Sequence, residues 1–112
     1  MRRGELYRVV TPPGDPRARR VYVIVSRQQL LDSSYSTVVC VPVYSAASGL
    51  ETEVRIGPAE GLKHDSCIRC DEVTSIPRSA LRQFVGSLNS DRLQALNQAL
   101  VRALDLNPIA SP

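Results

Sequence analysis

The side chains best suited to chemistry in this sequence are one arginine and two hydroxyls at the ends of two apolar runs. Arg20 begins the run 20–26, and Tyr44 and Ser45 end the run 37–45. Both runs are rich in β-branched residues and too short for buried helices, which is typical of central β-strands. If these strands are antiparallel neighbours, the start of the first lies beside the end of the second. We therefore expect a guanidinium facing two hydroxyls, which suits an anionic ligand such as a phosphodiester.

Positive charge is concentrated near the N-terminus. The 112 residues carry a net charge of +3, but residues 1–27 alone contain seven arginines against two carboxylates, Glu5 and Asp15. Residues 11–19 contain prolines and a glycine that exclude regular structure and predict an exposed basic loop leading into Arg20. Because arginine pairs bidentately with phosphate oxygens, this patch favours a polyanionic partner. The alternative is an ordinary solvated loop.

The cysteines and the single histidine raise the question of a metal site. His64, Cys67 and Cys70 have a spacing that resembles part of a zinc site, and Cys40 would supply a fourth ligand. Residues 66–76, however, have the pattern of one strand, in which residues three apart point to opposite faces and cannot share a metal or a disulfide. We therefore expect free, mostly buried thiols and no metal or other cofactor. His64 is predicted to lie exposed in a loop, with substrate contact or catalysis as the alternatives.

The elements that position these residues form a single small α+β domain. Predicted strands cover 4–10, 20–26, 37–45, 51–56, 66–76 and 83–88, with helical turns at 28–31 and 78–82. A C-terminal helix over 91–104, capped by Asn89 or Ser90, has an apolar stripe. The stripe consists of Leu93, Leu96, Leu100, Ala103 and Leu104. We expect a curved, mainly antiparallel sheet closed by this helix.

The domain is predicted to span residues 1–106, followed by a flexible tail at 107–112, because Asn107-Pro108 stops the helix. No apolar stretch approaches the roughly 18 residues of a membrane span, and the charged N-terminus does not have the pattern of a signal peptide. A cytoplasmic protein is the expectation.

Several short motifs follow one another in chain order. They are Arg3-Gly-Glu-Leu-Tyr7, Arg20-Val-Tyr-Val-Ile-Val-Ser26, Val41-Pro-Val-Tyr-Ser45, Gly61-Leu-Lys-His-Asp-Ser66, Asp71-Glu-Val-Thr-Ser-Ile76 and Gly86-Ser-Leu88, followed by the leucine-rich helix. In this order they resemble the MazF/PemK toxins of type II toxin–antitoxin systems. Each piece is weak alone, but together they cover nearly the whole chain.

The resemblance implies an SH3-like curved antiparallel β-barrel with a C-terminal α-helix, the CcdB/PemK-like toxin fold. It implies a homodimeric, metal-independent endoribonuclease, or mRNA interferase, that cleaves single-stranded RNA by attack of a 2′-OH on the adjacent phosphodiester. A cognate antitoxin protein would inhibit it, and DNA would be bound only through the toxin–antitoxin complex.

The implied catalytic residues are Arg20, Ser45 and Tyr44. Arg20 matches the family's catalytic arginine. The family's catalytic threonine aligns with Tyr44, and a tyrosine hydroxyl lies about 4 Å farther from the backbone than a threonine hydroxyl does. Three outcomes are open: Tyr44 acts from a different angle, Ser45 takes over the role, or the nuclease is weakened. In the non-catalytic interpretation, Tyr44 is an aromatic side chain at the rim that packs against the loop or stacks on a base. Strand alternation makes Ser45 an imperfect substitute unless the strand bulges. Predicted RNA-binding residues are Asp15, Arg17 and Arg19 in the basic loop and Thr74 and Ser75 in the 71–76 segment.

Two alternatives remain open because of Tyr44. The first is a non-catalytic SH3-like toxin or binding module that acts on a protein or DNA target, as CcdB-type toxins do. The second is a decayed toxin that retains only antitoxin binding.

Overall fold

The computed structural model describes residues 1–106, so the predicted tail at 107–112 lies outside the described residues. Within these described residues, seven strands and two helices form in this order: β1 Glu5–Val9, β2 Val21–Ile24, α1 Gln28–Leu31, β3 Thr37–Tyr44, β4 Glu53–Ile56, β5 Ser66–Arg69, β6 Thr74–Pro77, β7 Leu81–Ser87 and α2 Ser90–Ala103. Short 3-10 turns cover Pro58–Glu60, Cys70–Glu72 and Arg78–Ala80. None of the helices within residues 1–106 has the length and apolar character needed to cross a membrane.

The strands form one antiparallel sheet in the order β4-β5-β3-β2-β1-β7, with β6 also paired to β3. On one edge β3 pairs with β2. On the other edge its residues 37–40 pair with β6 and its residues 43–44 pair with β5. Pro42, which has no N–H to donate, lies in the gap between these two partners. The predicted curved antiparallel sheet with a C-terminal helix is confirmed.

The prediction of one strand over 66–76 is wrong. A 3-10 turn at Cys70–Glu72 separates β5 from β6, so that the segment bends and follows the two halves of β3 separately. The strand argument against a shared metal therefore no longer applies to Cys67 and Cys70. The thiols of Cys40, Cys67 and Cys70 are nevertheless all free and buried, as expected. Across residues 1–106, no three His, Cys, Asp or Glu side chains are grouped to hold a metal ion.

Both faces of the sheet are covered by apolar side chains. All four residues of β2 are buried, because Val21 and Val23 belong to the core under α2 while Tyr22 and Ile24 belong to a second core on the other face. A continuous apolar run is therefore what this central strand requires, since neither face meets water.

Helix α2 covers the first core with the predicted stripe. Leu96 is fully buried, and Leu93, Leu100 and Ala103 pack against the cluster. The Asn89 side chain caps the helix by accepting a hydrogen bond of 2.9 Å from the Arg92 N–H. The prediction that Leu104 belongs to this stripe is wrong. Helix α2 ends at Ala103, and Leu104 is its C-cap with non-helical φ and ψ angles, so its side chain leaves the stripe and is 50% exposed.

The end strands β4 and β7 do not pair, and a loop bridges them instead. Gly61 has φ +93°, and a Cβ on it would overlap the carbonyl oxygen of Val85. A Cβ on Gly86 would overlap the carbonyl oxygen of Glu60. Two stretches of backbone therefore touch with no side chain between them, and this contact holds the loop before β5 against β7.

We expect Gly61→Ala to destabilise the protein by about 3 kcal/mol, from a left-handed backbone cost of about 1–2 kcal/mol and an overlap cost of about 1–3 kcal/mol. Gly14→Ala is a matched control, because Gly14 has φ +92° but no neighbouring atom of residues 1–106 lies within 4 Å of its Cβ position. It should lose only about 1 kcal/mol. Urea unfolding of both variants is the measurement, and equal losses would show that the contact with β7 contributes nothing.

Candidate active site

Arg20 lies beside the end of β3, as its position in the sequence predicts. Tyr22 of β2 pairs with Pro42 of β3, so the antiparallel register continued by two residues brings Arg20 opposite Tyr44. The Arg20 Cζ lies 4.2 Å from the centroid of the Tyr44 ring, and its Nη1 donates to the Val43 carbonyl oxygen at 3.4 Å. The predicted approach of the arginine to the end of β3 is therefore present.

An open cleft of about 500 Å³, here called the Arg20 cleft, surrounds this guanidinium. Its polar lining residues are Arg8, Arg19, Arg20, Tyr44, Ser45, Lys63, His64 and Ser66. Among the described residues that line it there is no carboxylate. Four cationic side chains without a compensating acid favour an anionic ligand with several charges.

The Tyr44 side chain is held from several directions. Its ring lies under the Arg20 guanidinium and 4.0 Å from the Cζ of Arg69, while its hydroxyl donates to Glu72 Oε1 at 2.5 Å. Arg69 in turn lies 3.6 Å from carboxylate oxygens of both Glu53 and Glu72. The hydrogen bond to Glu72, followed by burial, raises the pKa of the Tyr44 hydroxyl. Tyr44 thus faces Arg20 with its ring, and its hydroxyl is committed to Glu72.

Ser45 lies beside Tyr44 at the rim of the cleft. Strand β3 ends at Tyr44, and Ser45 begins a bend, so strand alternation does not force these two side chains to opposite faces. Both residues line the Arg20 cleft. Ser45 is exposed, which leaves its hydroxyl accessible to a ligand in the cleft.

The two predicted RNA-binding arginines of the basic loop, Arg17 and Arg19, have different surroundings. Asp15 accepts hydrogen bonds from the Arg17 backbone N–H at 2.8 Å and from the Arg17 Nε at 3.2 Å, and it forms an ion pair with Nη2 at 3.1 Å. The hydrogen bonds from Arg17 lower the pKa of the Asp15 carboxyl. Arg19 instead lines the cleft and has no ion pair within residues 1–106. It adopts a positive φ of 65°, which is uncommon for a residue with a side chain.

Thr74 and Ser75 lie away from the cleft. They pair with Cys40 and Val39 of β3, four or five residues along the strand from Tyr44, or roughly 13–17 Å at the usual rise per residue. The structure therefore brings Arg19, Arg20, Tyr44 and Ser45 together, and it leaves Asp15, Arg17, Thr74 and Ser75 outside the Arg20 cleft. The predicted roles of the outer residues in RNA binding stay predictions.

The sequence interpretation left substrate contact or catalysis by His64 only as alternatives and gave Lys63 no role, although both residues of the loop before β5 line the cleft. Lys63 and His64 reach the cleft because Gly61 fastens that loop to β7. Arg8 reaches it from β1 and donates from Nη1 to the Arg19 carbonyl oxygen at 3.0 Å. The position of Lys63 and His64 within the Gly61–Ser66 motif was a signal that could have indicated a role in the site. Both residues are far from Arg20 along the chain, so the sequence does not show that they lie close to it in the fold.

Comparison with known proteins connects this fold and cleft to one family. A family model described as PemK-like, MazF-like toxin of type II toxin-antitoxin system matches residues 2–104. The chain is 31% identical over 101 residues to the protein named "Probable endoribonuclease MazF2" of Mycobacterium tuberculosis, covering 89% of this chain and 94% of that protein.

Solved structures agree with this assignment. The Mycobacterium tuberculosis toxin MazF-mt6 superposes with a TM-score of 0.81 at 25% identity, covering 92% of this chain and 98% of that chain. An endoribonuclease in complex with its cognate antitoxin, from a mycobacterial species, superposes with a TM-score of 0.80 at 24% identity, covering 94% and 95%. The chain therefore belongs to the PemK-like, MazF-like toxins of type II toxin–antitoxin systems.

Proposed function

We propose that the protein is a toxin that cleaves single-stranded RNA in the Arg20 cleft without a metal ion. The observation that carries this proposal is the clustering of Arg8, Arg19, Arg20 and Lys63 around one cleft whose described lining contains no carboxylate. The endoribonuclease names of the relatives support the activity. They give no support to the alternative of a non-catalytic module of the CcdB type.

The reaction that suits this lining uses the nucleophile already present in RNA. The 2′-oxygen bonds to the adjacent phosphorus, the bond from phosphorus to the 5′-oxygen breaks, and a 2′,3′-cyclic phosphate and a 5′-hydroxyl result. Negative charge grows on the non-bridging oxygens, and Arg20 donates charge-assisted hydrogen bonds to them. Arginine is always protonated near neutrality, so we assign Arg20 charge stabilisation rather than proton transfer. Because the 2′-OH is the nucleophile, the reaction does not need a metal-bound water to attack the phosphorus.

Tyr44 contributes through its ring. A guanidinium over an aromatic face gains about 0.5–1 kcal/mol at exposed sites, and Glu72 and Arg69 hold the ring in place for this contact. We therefore assign Tyr44 the positioning of Arg20. Because the Tyr44 hydroxyl donates to Glu72, we assign to the Ser45 hydroxyl the hydrogen bond to a phosphate oxygen in the cleft.

The proposed inhibitor is a cognate antitoxin with an acidic segment. A cleft with four cations attracts a carboxylate-rich peptide for the same reason that it attracts RNA, so the two would compete for one surface. The toxin–antitoxin complex among the similar structures supports this assignment. Homodimer formation is proposed on the family resemblance.

Arg20→Ala should lower cleavage of a long unstructured RNA by about 100- to 1,000-fold, because a lost transition-state donor costs about 3–4 kcal/mol. The assay is run in EDTA, where wild-type protein should keep its full rate. Arg82→Ala is the control, since Arg82 is exposed on β7 and does not line the cleft. Wild-type turnover by a folded Arg20→Ala protein would remove Arg20 from the site, and an inactive wild type would indicate a decayed toxin.

Tyr44→Phe and Tyr44→Ala separate the ring from the hydroxyl. Phenylalanine keeps the aromatic face, so its kcat should stay within about 3-fold of wild type, whereas alanine should lose about 5-fold, equivalent to about 1 kcal/mol. Single-turnover cleavage rates at saturating protein measure both. An equal and large loss in the two variants would assign catalysis to the hydroxyl instead.

The salt dependence of RNA binding tests the two loop arginines individually. Arg19→Gly, which suits the positive φ, should reduce the slope of log K against log salt by about 0.7, the value of one single-strand phosphate contact. Arg17→Ala should leave the slope unchanged, because Arg17 is already paired with Asp15. An equal reduction of the salt slope in both variants would show that the ion pair between Asp15 and Arg17 opens when RNA binds. An unchanged slope in both variants would show that the RNA does not contact this loop.

A further inference from the structure

The Arg20 cleft contains many groups that can donate a hydrogen bond and few that can accept a proton. The groups facing it carry positive charge on three parts of the fold: Arg8 on β1, Arg19 and Arg20 before β2, and Lys63 on the loop before β5. None of these takes up a proton near neutrality. In-line attack by a 2′-OH requires that its proton be removed, so the cleft needs a base.

The other candidates for that base are occupied or face away. The Tyr44 hydroxyl donates to Glu72, and this hydrogen bond, followed by burial, raises the pKa of Tyr44 and makes it a poorer base for this role. Glu72 is engaged by Tyr44 and Arg69. Asp65, the nearest carboxylate along the chain, lines the neighbouring cleft with Arg55 and Arg92. Serine hydroxyls are not basic at neutral pH.

His64 is the remaining side chain among the described lining residues that can accept a proton. Imidazole is the side chain whose ordinary pKa lies near physiological pH. The backbone that carries His64 is held in place, because Ser66 Oγ donates to the His64 carbonyl oxygen at 3.1 Å and Gly61 packs against Val85. Its side chain is exposed at the cleft and open to a substrate.

We propose that His64 is the general base of this toxin, taking the proton from the attacking 2′-OH. The inference rests on the proposed RNA cleavage and adds the residue that performs its proton transfer. The 2′-oxygen bonds to phosphorus as its proton moves to the imidazole, and the bond to the 5′-oxygen breaks. The imidazolium then returns the proton through solvent in the open cleft to the 5′-oxygen, so the reaction needs no other reactant.

The pH dependence follows from the protonation state that the role requires. A general base acts in its neutral form, so kcat should fall as the pH is lowered into the range in which an imidazole becomes protonated, and it should reach a plateau at higher pH. His64→Gln should lower kcat by about 100-fold or more, the usual contribution of a general base, and should remove this pH limb. Adding imidazole to His64→Ala should restore part of the rate.

The test measures cleavage and binding separately. Binding uses an RNA with a 2′-deoxy nucleotide at the scissile position, which should bind wild type and His64→Gln equally. Lys63→Ala is the neighbouring control, and it should weaken binding while keeping the wild-type pH profile. Wild-type kcat and pH profile in His64→Gln would overturn the assignment, as would a loss confined to binding. An inactive wild-type protein would instead refute the proposed function itself.

Discussion

The antiparallel pairing of β2 with β3 is the constraint on which the rest of this structure depends. Both strands are central, and the two faces of β2 supply side chains to two separate cores. A register slip of one residue would exchange the faces of β2 and turn Arg20 away from Tyr44. The pairing that organises the cores is therefore also what sets a guanidinium at the end of β3.

The charge of the cleft results from where the acids are held. Asp15 is bound to Arg17 within the basic loop, and Glu72 is bound to Tyr44 and Arg69. Glu60 is buried and accepts from the Gly57 N–H at 2.7 Å. Each of these carboxylates is bound by a partner, and none of the three lines the Arg20 cleft. The cations around Arg20 consequently face solvent together, and their charge remains available to a ligand.

The closure of the sheet affects both stability and chemistry. Because β4 and β7 do not pair, the backbone contact between Gly61 and Val85 joins the two ends of the sheet. The same contact carries Lys63 and His64 to the cleft. The Gly61 and Gly86 motifs noted in the sequence therefore have a steric reason, since any side chain at either position would separate the two segments.

The sequence by itself determined the elements with strong local patterns. Apolar β-branched runs identified β2 and β3, Asn89 and the leucine spacing identified α2, and antiparallel geometry placed Arg20 beside Tyr44. These predictions are correct because each feature follows from a local periodic pattern or from the pairing of two strands that are neighbours in sequence. Only the tertiary structure decided the break at Cys70–Glu72 and the arrival of His64 in the cleft. Both depend on contacts between distant segments, which leave no periodic pattern in the chain.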